Sequence, residues 1–239
     1  MVRRLSIIVA WLAGGLTVSA GSFNVKPVRI ELSAREPQTS ISVTNLSDDR
    51  ATIQVHAVVW TPQGIGEAYA DTNDILLNPP IISLAPGQMQ FLRLGLRRAN
   101  TGLLETSYRL IFEELPPPPK PGFKGLTTVL RISIPVFALP REQAAPDLAW
   151  RVSRADENHM KLLVENRGNL HVQIKGVRFR ANPETEPDHL EDTNVYVLPG
   201  GRHEWNITEE SLLRSVRLLV EAETDQRKLL HADLPTENR

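Results

Sequence analysis

No cysteine occurs among the 239 residues of this chain. That absence excludes disulfide staples, thiolate chemistry and cysteine-ligated metal together. A chain without staples must be held by packing, and this length suffices for one large or two ordinary cores. Aromatic residues are only 5% of the total, a poor endowment for a surface that binds by stacking. Basic and acidic residues nearly balance, 27 against 28, so net charge supplies no general attraction to nucleic acid or anionic membrane.

A long apolar run is also missing. The stretch over residues 5–18 is interrupted by Ser6, Gly14, Gly15 and Thr17, and its ~14 positions fall short of the roughly 20 that a membrane helix needs. It follows Arg3 and Arg4 and precedes the small residues Ser19 and Ala20. A basic start, a short apolar run and a small-residue cut site predict a cleaved secretory signal over residues 1–20. The mature chain then starts near Gly21 with 25 basic and 28 acidic residues. A bacterial periplasm suits it best, with no membrane insertion.

Catalytic constellations are absent from the sequence as well. The six histidines, His56, His159, His171, His189, His203 and His231, are scattered without metal-ligand spacing. There is no Gly-x-Ser-x-Gly elbow and no phosphate-cradling glycine loop. Asp48–Asp49 and Glu113–Glu114 are adjacent pairs that a turn or strand points apart, and they read as solvated surface. The expectation is a protein that is not an enzyme and has no cofactor.

What the chain has is strand periodicity. Val28, Ile30 and Leu32 alternate with Arg29 and Glu31; Ile41 and Val43 alternate with serines; residues 51–61 make a longer run ending near Trp60. Residues 62–64 close that run, and the polar stretch to Asn73 reads as a loop. Strands follow near residues 75–77, 81–84, 89–96 and 107–115. Short strands at regular spacing with turn signals between them predict an all-β chain of two immunoglobulin-like β-sandwich domains in tandem. The expected boundaries are 21–140 for the first domain, 141–147 for a proline-containing linker and 148–239 for the second. An acidic loop is expected over 181–194 and one helical turn near 209–214.

The most telling segment lies at residues 126–136. Leu126, Thr128, Leu130, Ile132, Ile134 and Val136 fall on one side of a single extended strand, since strand side chains alternate faces. A proline-rich stretch, residues 116–122, precedes it and can enter neither helix nor sheet. A strand with so long an apolar face can fill its own core or lend that face to a partner.

Several segments, in order, resemble periplasmic pilus chaperones of the chaperone–usher pathway, in a divergent archaic or spore-coat-U-like branch. They are Arg29 with Asn45; Trp60; Asn78–Pro79–Pro80; Leu84–Ala85–Pro86–Gly87 with Arg93–Leu94; Tyr108–Arg109 with Glu114–Leu115–Pro116; residues 134–140; and residues 166–169. The resemblance implies a boomerang-like pair of domains whose partners are pilin or fimbrial subunits and an outer-membrane usher. It implies that Leu126, Thr128, Leu130 and Ile132 belong to a donor strand inserted into a subunit, with Ile132, Ile134 and Val136 also serving the domain's own core. It further implies that Arg29 grips the subunit's terminal carboxylate. Where the family has a lysine as second anchor this chain has Pro135, which leaves Arg131 as the nearest cation. Leu139 stands where the family has a junction arginine, so a salt bridge through that position is absent. The competing expectation is a secreted two-domain adhesion or carbohydrate-binding module, which would need exposed aromatics such as Tyr69.

Overall fold

The computed structural model describes residues 22–116, 128–156, 158–181, 184, 188–190, 194–208, 217–225 and 229–238. The expected signal, most of the proline loop, Leu126 and the expected helical turn lie outside the described residues. Every regular element among the described residues is a strand.

The first domain is a sandwich of two sheets. One has the order β1 (Phe23–Lys26), β3 (Gln38–Asn45), β8 (Met89–Leu96), β6 (Ile75–Asn78), all antiparallel. The other has the order β2 (Ile30–Leu32), β10 (Arg131–Ala138), β9 (Thr106–Leu115), β4 (Ala51–Gln63), β5 (Gly66–Asp71), with β7 (Ile81–Leu84) paired to the start of β4. Only the β2–β10 pairing is parallel in this sheet. Between them lies a core that includes Ile41, Ile53, Leu84, Leu92, Leu110 and Phe112, each 0% exposed.

The first domain departs from the sequence expectation at two places. Val28 is 71% exposed: the chain leaves the first sheet after Lys26, Pro27 offers no amide donor to a ladder, and β2 begins only at Ile30. The stretch to Asn73 is a strand for part of its length, because β5 forms a hairpin on β4 with Gln63 opposite Gly66. Gly64 takes φ 61° in that turn, a left-handed conformation that L side chains resist. β5 escapes a periodicity reading because no residue of it is buried, so neither of its faces needs to be apolar.

The second domain contains β11 (Leu148–Arg154), β12 (Met160–Asn166), β13 (Val172–Arg180), β14 (Asp188–Leu190), β15 (Val195–Val197), β16 (Arg202–Ile207), β17 (Arg217–Thr224) and β18 (Leu229–Asn238). β18 runs antiparallel to β17 and its last residues run parallel to β11, joining two layers at one edge. Val152, Met160, Leu162, Val164, Ile174 and Leu218 are among the 0%-exposed side chains of its core. The segment expected as an acidic loop includes β14, which pairs with β13.

Each domain fixes one turn with a buried asparagine. Asn45 Nδ2 donates to the carbonyls of Asp49 at 2.8 Å and Leu84 at 3.0 Å. Asn166 Nδ2 donates to those of Leu170 at 2.8 Å and Val197 at 2.9 Å. Asn166 Oδ1 accepts from the amides of Gly168 at 3.0 Å and Asp147 at 3.2 Å. This second turn therefore also holds the connecting segment. The Ala145 amide donates to Asn169 Oδ1 at 2.9 Å, and the Arg167 amide donates to the Asp147 carbonyl at 2.7 Å. At the other end of the connection, the Leu139 amide donates to the Leu32 carbonyl at 2.8 Å.

Candidate functional site: an open strand edge beside an arginine cleft

Along β10, Ile132, Ile134, Val136 and Ala138 face the first domain's core, while Arg131, Ser133, Pro135 and Phe137 face away from it. Ile134 and Val136 are 3% and 1% exposed and belong to that core outright. Leu130 and Ile132 are half-buried at its rim, and Thr128 and Val129 are exposed. One flank of β10 is paired with β9 throughout, from Arg131↔Glu113 to Ala138↔Thr106. The other flank is covered by β2 only at Val136, Phe137 and Ala138. From Arg131 to Pro135 that flank carries no strand among the described residues. An unpaired row of amides and carbonyls invites another strand, and here it runs beside half-buried apolar side chains.

The outward face of the same sheet meets the second domain. Val136 pairs with Ile30 and Pro135 pairs with Arg109, so Arg29 and Arg109 flank Pro135 from the two neighbouring strands. Two strand spacings separate them, about 9–10 Å between backbones. Arg29 Nη2 donates to Glu31 Oε1 at 2.6 Å, and Nη1 donates to Asp225 Oδ2 of the second domain. Burial lowers the Arg29 pKa, but hydrogen bonds to Asp225 and Glu31 outweigh it and leave the value raised. The Arg109 guanidinium carbon lies 3.7 Å from the ring centre of Trp60 and 5.7 Å from that of Tyr196, a cation held on aromatic faces. No carboxylate pairs with Arg109 among the described residues, and its buried Nε has no hydrogen-bond partner. Tyr196 faces both cations: burial raises its phenol pKa while the charges of Arg29 and Arg109 oppose the rise.

The two arginines expected as anchors are not brought together. Arg131 is 65% exposed and pairs with Glu113 at 3.0 Å, an ion pair worth about 0–1 kcal/mol. Its place on β10 lies four residues from Pro135, about 13 Å along the strand. The cation across from Arg29 is Arg109, which sequence reasoning read only as part of the penultimate strand. The signal was present: Tyr108, Leu110 and Phe112 face the core, so Arg109 must face out. Its register opposite Pro135 is visible only in three dimensions.

A cavity of about 250 Å³ opens beside Arg29, lined also by Glu31, Leu139, Glu142, Leu170 and His171. Next to it the domains are joined by a cluster of Trp60, Phe137 and Leu198, with Tyr196 packed against it. His171 stacks on Phe137 with centroids 3.5 Å apart and 8° between planes. Its Nδ1 lies 2.7 Å from Glu105 Oε2, with both side chains 2% exposed or less. Leu139 does leave its position without a salt bridge, yet Glu105–His171 and Arg29–Asp225 tie the domains by other routes.

Residues 22–144 match the sequence pattern of pili and flagellar-assembly chaperones, PapD N-terminal domain. The chain belongs to this chaperone family. No curated protein sequence matches the chaperone, but solved structures resemble it along nearly the whole chain. The Acinetobacter baumannii complex of CsuC with the tip adhesion subunit CsuE, from archaic chaperone–usher pili, matches with TM-score 0.66 at 20% identity, covering 90% of this chain and 99% of that one. The Salmonella enterica complex of SafA pilin with the SafB chaperone matches with TM-score 0.61 at 17% identity, covering 91% and 97%. The E. coli chaperone DraB matches with TM-score 0.61 at 13% identity, covering 93% and 99%. At these identities the likeness concerns the fold, two immunoglobulin-like sandwiches.

Proposed function

We propose that this chaperone captures pilin-type subunits in the periplasm by strand addition and delivers them to an outer-membrane usher, without catalysis or cofactor. The single observation that carries the reading is the open flank of β10 from Arg131 to Pro135, bordered by half-buried Leu130 and Ile132. A subunit lacking a strand gains backbone hydrogen bonds from that flank and fills its own groove with the alternating side chains. The donor residues are then Leu126, Thr128, Leu130 and Ile132. Each large side chain fully buried contributes about 1.5–3 kcal/mol. Solved relatives bound to a pilin and to a tip adhesion subunit support the same mode of use, and the archaic-pathway relative supports placement in that branch.

The subunit's terminal carboxylate is assigned to the cleft over Pro135, between Arg29 and Arg109. Proline has no charge to offer there, and an arginine on each side supplies planar forks suited to a carboxylate. Arg131 is left as a surface residue. The proposed boundaries are a signal over 1–20, a first domain over 21–140, a linker over 141–147 and a second domain over 148–239. The adhesion-module alternative finds little support: among the described residues, the exposed aromatics Tyr69 and Phe91 lie on different sheets of the first domain and form no shared platform.

Periplasmic co-expression with small secreted proteins encoded nearby, followed by pull-down and mass determination, tests this reading. A one-to-one complex with a pilin-like chain that aggregates alone is the expected result. A chaperone recovered without any partner would overturn it.

A further inference from the structure

We propose that Asp225 is the internal occupant of the carboxylate cleft: it holds Arg29 while the chaperone is empty, and an incoming subunit carboxylate displaces it. This rests on the reading of the cleft above and adds a competitor to it. Both arms of the Arg29 guanidinium are engaged, one by Glu31 on the same strand and one by Asp225 across the domain junction. Glu31 is 45% exposed and its charge is shared with solvent, whereas Asp225 is 12% exposed. Asp225 comes from the turn after β17, fixed by its amide donating to the Gln173 carbonyl at 2.9 Å. It is therefore delivered to Arg29 by the fold of the second domain.

The site is incompletely satisfied in this state. Asp225 Oδ1 is buried without a hydrogen-bond partner, and Arg109 Nε is buried without one on the other side of Pro135. A buried polar atom left unpaired is unfavourable, so the empty cleft keeps an unmatched acceptor and an unmatched donor on opposite walls. A carboxylate entering between the arginines gives Arg109 an anionic partner in addition to the Tyr69 hydroxyl and takes one arm of Arg29 from Asp225. Of the other ties, Glu105–His171 does not involve Arg29, and the Trp60–Phe137–Leu198 cluster meets it through the Phe137 ring, 5.5 Å from its guanidinium carbon, a contact that needs no carboxylate. Subunit capture and the Arg29–Asp225 tie are thus mutually exclusive claims on one guanidinium, and each weakens the other by the same factor.

The test uses the full mature chain, with sodium acetate as carboxylate probe and sodium chloride as control. Side-chain Nε resonances of Arg29 and Arg109 are followed by NMR. In the unsubstituted protein acetate should move Arg109 before Arg29; in Asp225→Asn both should respond together. An Arg29 resonance equally responsive before and after that substitution would overturn the competitor role. With a captured pilin-type subunit, Asp225→Asn should tighten binding by about five-fold or more, while Arg29→Ala weakens it. If Arg29→Ala weakens capture and Asp225→Asn leaves it unchanged, the anchor stands and the competitor fails. If Arg29→Ala has no effect, the anchor fails and takes the competitor with it. The carboxyl carbon resonance of Asp225 in the unsubstituted protein gives a check free of folding effects. It should shift on capture, and an unmoved resonance would refute the displacement.

Discussion

Replacing Glu105 by alanine probes whether the domain junction is a built joint or a passive contact. The Glu105 carboxylate is fully buried, accepts from Ser107 Oγ at 3.3 Å and meets His171 Nδ1 at 2.7 Å. Without it, the imidazole stays stacked on Phe137 with its Nδ1 facing a void. An orphaned neutral group costs about 1–3 kcal/mol, and an uncompensated buried charge about 3–5 kcal/mol. A loss of ~3 kcal/mol is expected, which for a chain of this size lowers Tm by about 6–12 °C. Urea denaturation of Glu105→Ala, His171→Ala and the double variant closes a thermodynamic cycle. Coupling of at least ~1 kcal/mol is expected, since residues in contact do not act additively. Subunit capture should also fall, because the same joint holds the second domain's Tyr196 beside Arg29 and Arg109 at the cleft. If the double variant loses the sum of the two single losses within about 0.5 kcal/mol, the pair is not the joint we describe.

Four other perturbations address the remaining features. Leu130→Arg should abolish subunit retention while the chaperone stays folded, because Leu130 is only half-buried in its own domain; co-purification at the original yield would remove Leu130 from the donor strand. Arg109→Ala should weaken capture by about 2–5 kcal/mol if it meets a desolvated carboxylate, and Arg131→Ala should not; equilibrium binding of both variants decides, and the reverse ranking would restore Arg131 as the anchor. His203 is packed edge-on against Trp205 at 4.5 Å, and burial lowers its pKa against the pull of Glu67 and Glu204. The unfolded chain then binds the extra proton more readily, so stability should fall as pH drops below about 6.5 and on through the depressed folded value; His203→Gln should flatten that slope in chemical denaturation, and an unchanged slope would show that His203 is not its source. Gly168→Ala would set a Cβ 2.3 Å from the Ala145 carbonyl oxygen and 2.5 Å from the Asp147 amide nitrogen, so a loss of about 1–3 kcal/mol from overpacking is expected, and a thermal melt that does not shift would contradict that packing.

Strands that bury one face announced themselves in the sequence. β8 falls where alternation placed it, whereas β10 begins only at Arg131, so the expected apolar row is strand through Ile132, Ile134 and Val136 and not at Thr128 or Leu130. Elements without a buried face were silent, as β5 shows, because solvent on both sides imposes no pattern. β1 was also missed, although Phe23 and Val25 are core residues; four residues are too few for periodicity to stand out beside the expected signal. In the cleft, Arg29 was legible through family likeness. Arg109 and Asp225 were not, since their nearness to Arg29 depends on cross-strand register and on the meeting of two domains, neither of which local spacing records.

The connecting segment is fastened at both ends, at Leu139 to β2 and at Ala145 and Asp147 to the Asn166 turn. Rotation of one domain against the other must therefore be absorbed by the torsions of residues 140–144, one of which, φ of Pro140, is locked by its ring. So few free torsions make the connection a stiff elbow with a narrow arc of travel. A subunit captured as proposed would then meet two walls at a preset aperture, and the shape of the gap would act as a selection criterion in its own right, before any side chain is read.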